Sequence, residues 1–176
     1  ITKISNAAME PEIVDLAKFL NKMGAKIEGA GTNIIKITGV EKLKDVSYSI
    51  MPDRIEAGTL LCAVAITGGK VKLNKVIPEH INQILNKLEQ TGCEIKIENK
   101  CVCLKAPKKI KAVDIKTMPY PGFPTDMQSV FASILTIAKG NSVIVENIFE
   151  NRYKYVSELK RMGAKITVEG RIAVIK

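Results

Sequence analysis

The stretch Pro119-Tyr120-Pro121-Gly122-Phe123-Pro124-Thr125-Asp126-Met127-Gln128 holds the side chain best placed to do chemistry, the carboxylate of Asp126. Its prolines and glycine forbid a regular helix or a central strand. An apolar run, residues 130–138, follows at once. A stiff, kinked loop therefore delivers Thr125 and Asp126 to the start of a helix. Two roles suit a carboxylate there. It can cap the helix by accepting free backbone N–H groups, or it can be held toward a hydroxyl-bearing ligand as a general base. A cap alone does not need so rigid an approach.

Other reactive residue types are sparse. The cysteines are Cys62, Cys93, Cys101 and Cys103, none in a CxxC pair, and His80 is the only histidine. That set does not make a zinc site, and no metal is expected. Reduced, buried thiols in a cytosolic protein are the better reading. The N-terminal residues carry no long apolar leader-type run, and no run reaches the ~20 apolar residues of a membrane span.

Charge points to an anionic partner: 27 Lys and Arg against 18 Asp and Glu give +9. Nucleic acid, a nucleotide sugar and an acidic membrane surface all qualify. The lysines are spread along every segment, however, which also describes a solvated basic surface. Four Phe, four Tyr and no Trp leave few stacking platforms for single strands.

Positioning comes from an internal repeat. Lys22-Met23-Gly24-Ala25-Lys26-Ile27, Gln90-Thr91-Gly92-Cys93-Glu94-Ile95 and Arg161-Met162-Gly163-Ala164-Lys165-Ile166 match one another at intervals of about 70 residues. Each ends an amphipathic helix at a glycine and leads into two strands. Upstream of the second and third copies lies a further matching half. Tyr48-Ser49-Ile50 reads as a strand, Asp53 opens an apolar helix over 55–66, and Val71-Lys72-Leu73 is the next strand. In parallel, Ala112-Val113-Asp114-Ile115 reads as a strand, Asp126 opens the next helix, and Val143-Ile144-Val145 follows. The unit is thus β-α-β-α-β-β, an α/β fold present in about two and a half copies. Residues 1–47 supply the second half of a unit, 48–108 a full unit and 109–176 another. Both ends read as strand, so the chain is expected to be part of something longer. The half unit leaves an open sheet edge, through which the chain could self-associate.

A repeat of this size resembles the building block of the enolpyruvyl transferases, an inside-out α/β barrel fold. Four local motifs are more specific: Asn6-Ala7-Ala8-Met9-Glu10-Pro11-Glu12-Ile13-Val14-Asp15-Leu16-Ala17, Pro52-Asp53-Arg54-Ile55-Glu56-Ala57-Gly58-Thr59, Phe123-Pro124-Thr125-Asp126-Met127-Gln128 and Phe149-Glu150-Asn151-Arg152-Tyr153. They resemble the UDP-N-acetylglucosamine 1-carboxyvinyltransferase branch rather than the shikimate-pathway branch. The resemblance implies transfer of the enolpyruvyl group of phosphoenolpyruvate to the 3-hydroxyl of UDP-N-acetylglucosamine, with release of phosphate. That is the committed step of peptidoglycan synthesis, in the cytoplasm. No cofactor is implied, and neither nucleic acid nor membrane is an expected partner.

The resemblance also implies residue roles. Asp126 matches the aspartate that contacts the sugar 3-hydroxyl and serves as general base. Ile148 matches a position whose backbone contacts the nucleotide sugar. Arg152, Asp53 and Glu10 match charged positions at or near the cleft. Salt bridging within the unit remains open for Arg152, and helix capping for Asp53. The family's catalytic cysteine lies on a loop that none of the four cysteines here matches. Met9 stands where arginine is common. The expectation is that these residues alone do not catalyse the transfer. Two alternatives stay open: a basic nucleic-acid-binding α/β module, which would need aromatic residues on adjacent central strands, and a non-catalytic paralogous scaffold.

Overall fold

A computed structural model describes residues 1–176. The chain forms two compact units, Ile1–Met51 with Pro119–Pro121, and Pro52–Met118 with Gly122–Lys176.

The first unit contains β1 (Thr2–Ser5), α1 (Pro11–Lys22), β2 (Lys26–Glu28) and β3 (Ile34–Thr38). Pro11 opens α1 where its missing N–H costs nothing, and Lys22 lies in the last turn, toward the negative end of the helix dipole. The three strands form an antiparallel sheet in the order β1-β3-β2. The β2–β3 turn needs a glycine at position 29. Its φ is +81°, and a Cβ there would lie 2.2 Å from the Ile34 carbonyl oxygen.

The second unit repeats that pattern twice. Helix α2 (Arg54–Thr67), β4 (Lys70–Asn74), α3 (Asn82–Gln90), β5 (Glu94–Glu98) and β6 (Cys101–Lys105) make one copy. Strand β7 (Ile115–Lys116), α4 (Gln128–Leu135), β8 (Ser142–Val145), α5 (Val156–Arg161), β9 (Ile166–Glu169) and β10 (Ile172–Ile175) make the other. Their sheets run β4-β6-β5 and β7-β8-β10-β9. In every copy the last strand is therefore central, flanked by the two strands that a helix connects. Parallel pairing of β7 with β8 extends the final sheet.

The core of this unit forms around α2 and α4. Leu61, Cys62 and Ala65 of α2 meet the same buried cluster as Phe131, Ala132, Ile134 and Leu135 of α4. Both helices are apolar over most of their circumference, as buried helices must be. Phe131 packs edge-on against Phe123 of the proline-rich loop, with ring centroids 5.6 Å apart. Gly58 lets the chain next to Asp126 settle on α2. A Cβ at Gly58 would come within 3.0 Å of the Met127 sulfur and 2.9 Å of Ile84 Cδ1.

Two expected strands differ. Residues 48–50 form none, because their polar groups turn back on α1. Asp15 Oδ1 accepts the Tyr48 hydroxyl at 2.8 Å, Asp15 Oδ2 accepts the Met51 N–H at 3.4 Å, and the Tyr48 ring tilts against Phe19. The strand expected at 112–115 is only Ile115–Lys116. Side chains take the preceding ladder positions: Ser142 Oγ accepts from the Val113 N–H, and Asp114 Oδ1 from the Val143 N–H. No helix is long and apolar enough to cross a membrane.

Candidate active site

Asp126 does not cap α4. It sits in a 3-10 turn, Thr125–Met127, that precedes the helix, and no side chain there bonds to a free helical N–H. Its Oδ1 instead accepts from Arg152 Nη2 at 2.6 Å. The guanidinium also lies 5.1 Å from the centre of the half-exposed Phe149 ring. The Asp126 side chain is 54% exposed and that of Arg152 32%, so the pair faces solvent and a ligand could reach it. The proline loop thus brings together two residues that the sequence leaves 26 positions apart.

The Ile148 N–H is committed within the chain. It donates to Glu146 Oε1 at 2.8 Å, which leaves the Ile148 carbonyl as the backbone group for a ligand.

Glu146 is the residue that sequence reasoning missed. The residue is 1% exposed, and its carboxylate accepts four hydrogen bonds. Oε1 takes the Thr117 hydroxyl at 2.9 Å and the Ile148 and Phe149 N–H groups at 2.8 and 3.1 Å. Oε2 takes the Thr125 hydroxyl at 2.9 Å. Burial pushes its pKa up. The Phe149 and Ile148 amides and the Thr117 and Thr125 hydroxyls more than offset this, holding the carboxyl below its usual value. Parity was the available signal: Ser142, Ile144 and Glu146 share the buried face of β8 and its continuation. A glutamate at such a position has to find donors.

A second arginine holds the segment between Glu146 and Arg152. Arg171 donates to the Asn147 carbonyl at 3.0 Å and lies 3.9 Å from Glu150.

The two remaining candidates serve helix ends. Asp53 caps α2, with Oδ1 accepting from the Ile55 and Glu56 N–H groups at 2.7 and 3.1 Å. Glu10 belongs to the first unit and precedes α1. Its carbonyl accepts from Ile13, and its Oε2 is buried without a hydrogen bond. No group of three or more His, Cys, Asp or Glu side chains is arranged to hold a metal ion. Cys62 is buried against Cys93, and burial pushes its thiol up to about 12, away from nucleophilic reactivity.

The arrangement therefore offers a solvent-facing carboxylate, fixed on one oxygen by arginine and free on the other. Beside that arginine lies the face of Phe149. That set suits a polar, hydroxyl-bearing ligand.

Known proteins resemble the chain over nearly its whole length. The family model for EPSP synthase (3-phosphoshikimate 1-carboxyvinyltransferase) matches residues 1–176. UDP-N-acetylglucosamine 1-carboxyvinyltransferase 1 of Caldanaerobacter subterraneus subsp. tengcongensis is 57% identical over 175 residues, 99% of this chain and 42% of its own length. The UDP-N-acetylglucosamine 1-carboxyvinyltransferase of Trichlorobacter lovleyi is 57% identical over 173 residues, 98% of this chain and 41% of its own. The chain thus spans under half the length of these curated relatives. Among solved structures, the enolpyruvyl transferase NikO from Streptomyces tendae superposes with a TM-score of 0.84 at 22% identity, over 99% of this chain and 42% of that one. At that identity the likeness establishes the fold, which agrees with the α/β repeat. The chain belongs to the EPSP synthase family of enolpyruvyl (1-carboxyvinyl) transferases.

Proposed function

We propose that this chain supplies the aspartate side of a UDP-N-acetylglucosamine enolpyruvyl transferase site, acting in cytoplasmic peptidoglycan synthesis. The observation that carries the reading is the exposed Asp126–Arg152 pair, set in a chain 57% identical to proteins of that name. Asp126 accepts the proton of the sugar 3-hydroxyl as that oxygen bonds to C2 of phosphoenolpyruvate, while C3 takes a proton from an acid supplied by the rest of the site; phosphate then leaves from C2 as C3 gives up a proton and the double bond re-forms. Arg152 fixes Oδ1 and leaves Oδ2 to face the hydroxyl. The Ile148 carbonyl accepts from the nucleotide sugar.

The phosphoenolpyruvate clamp and the cysteine loop come from outside these residues. The relatives are more than twice as long, and none of Cys62, Cys93, Cys101 and Cys103 lies beside Asp126. A site built from two domains loses its preorganised charges when one is absent, so residues 1–176 by themselves do not turn over. Asp53 acts as a helix cap. The test is phosphate release from phosphoenolpyruvate. A chain of the relatives' full length releases phosphate only when UDP-N-acetylglucosamine is also present, and residues 1–176 release none. Turnover by residues 1–176 alone, or release without the sugar, would overturn this reading.

A further inference from the structure

We propose that Glu146 is a positioning residue for this site, tying the turn that carries Asp126 to the backbone that carries Ile148. The proposal rests on the function proposed above and adds a residue to it.

The two oxygens of Glu146 divide the work. Oε1 serves the Thr117 hydroxyl and the Ile148 and Phe149 amides, while Oε2 takes the Thr125 hydroxyl. Thr125 adjoins Asp126, and the 148–149 turn leads to Arg152. A single buried carboxylate therefore ties down both flanks of the Asp126–Arg152 pair. A packing role alone would not need an ionised group in a place this dry, where an apolar side chain avoids the desolvation cost.

The two ties can be cut separately. Asn147 clamps Thr117 independently of Glu146. Its N–H donates to the Thr117 hydroxyl oxygen at 2.9 Å, and its side-chain amide donates to the Thr117 carbonyl at 3.1 Å. Removing the Thr125 hydroxyl therefore leaves the junction of β7 and β8 in place and frees only the Asp126 turn. Glu146→Gln keeps the volume and one acceptor oxygen, but it meets the Thr125 hydroxyl with an NH2 group. The hydroxyl must then turn round and act as acceptor.

The experiment uses the full-length enzyme carrying these residues, with Thr125→Val, Thr125→Ser, Glu146→Gln and the Thr125→Val/Glu146→Gln double variant. A misplacement of about 1 Å costs on the order of 100-fold in rate. Thr125→Val and Glu146→Gln are expected to lower kcat by that order, with a much smaller change in KM for the sugar. Thr125→Ser restores the rate. The double variant stays within about twofold of the worse single, because both substitutions cut one link. A second readout does not need turnover. In labelled residues 1–176, Thr125→Val shifts and broadens the Arg152 guanidinium signals, while the Ile148 and Phe149 amides keep their positions. Unchanged kcat in Thr125→Val, multiplying losses in the double variant, or unmoved Arg152 signals would overturn the proposal. A parent enzyme without turnover would instead sink the functional reading, and the Arg152 signals would still decide the positioning role.

Discussion

Asp126 offers a sharp test, because its structural and chemical worth should differ widely. The perturbation is Asp126→Ala, with Arg152→Ala and the double variant completing a cycle. The ion pair is short, at 2.6 Å, but its side chains are 54% and 32% exposed. Pairs open to solvent are screened, and their measured coupling is about 0.2–1 kcal/mol. Asp126 caps no helix, so no capping loss is added. The stability cost of Asp126→Ala should therefore be under about 1 kcal/mol, read by urea unfolding of residues 1–176. A general base contributes roughly 10²- to 10⁴-fold. At about 1.4 kcal/mol per decade this raises the barrier by about 3–5.5 kcal/mol, read as phosphate release by the full-length enzyme. The account thus expects a nearly unchanged unfolding midpoint beside a rate lost by orders of magnitude. A midpoint shift worth more than about 2 kcal/mol, a value typical of a lost structural contact, would show that Asp126 is a structural residue. A rate within a few-fold of the parent would refute the reasoning.

Asp53→Ala should do the reverse, costing about 1 kcal/mol of stability as a lost helix cap, with the sugar affinity of the full-length enzyme little changed. Acid should act through Glu146, whose folded pKa lies below its ordinary value. Its stabilisation is complete above the ordinary carboxylate range and is lost as pH falls through that range toward the folded value. Unfolding midpoints should drop over this window in the parent and drop less in Glu146→Gln. Thiol labelling at pH 8 should modify the half-buried Cys101 and Cys103 in the native chain. The buried Cys62 and Cys93 should react only on unfolding, since burial raises both of their pKa values.

What the sequence disclosed was mostly local. Asp53, the apolar run after it and Gly68 mark α2 within a residue of its ends. The hairpin turns at Gly29, Asn99 and Gly170 all carry positive φ, as turn chemistry demands. The stiff loop before Asp126 drew attention to that side chain, but the choice between cap and exposed carboxylate depended on Arg152, far along the chain. Tyr48 and its neighbours had strand-like composition, yet Asp15 and Phe19 of α1 captured them. Glu146 was hidden for the same reason. Its donors include Thr117, placed by the register of β7 against β8, and Thr125, carried in by the turn before α4. Contacts made at long sequence separation are where propensity and periodicity stop informing.

The most direct measurement is an NMR titration of labelled residues 1–176 with UDP-N-acetylglucosamine, with a single-stranded oligonucleotide as control. Saturable shifts are expected at Asp126, Ile148, Phe149 and Arg152, with no comparable response to the oligonucleotide. Salt-sensitive binding of the oligonucleotide, with those residues unmoved by the sugar, would contradict the proposed function.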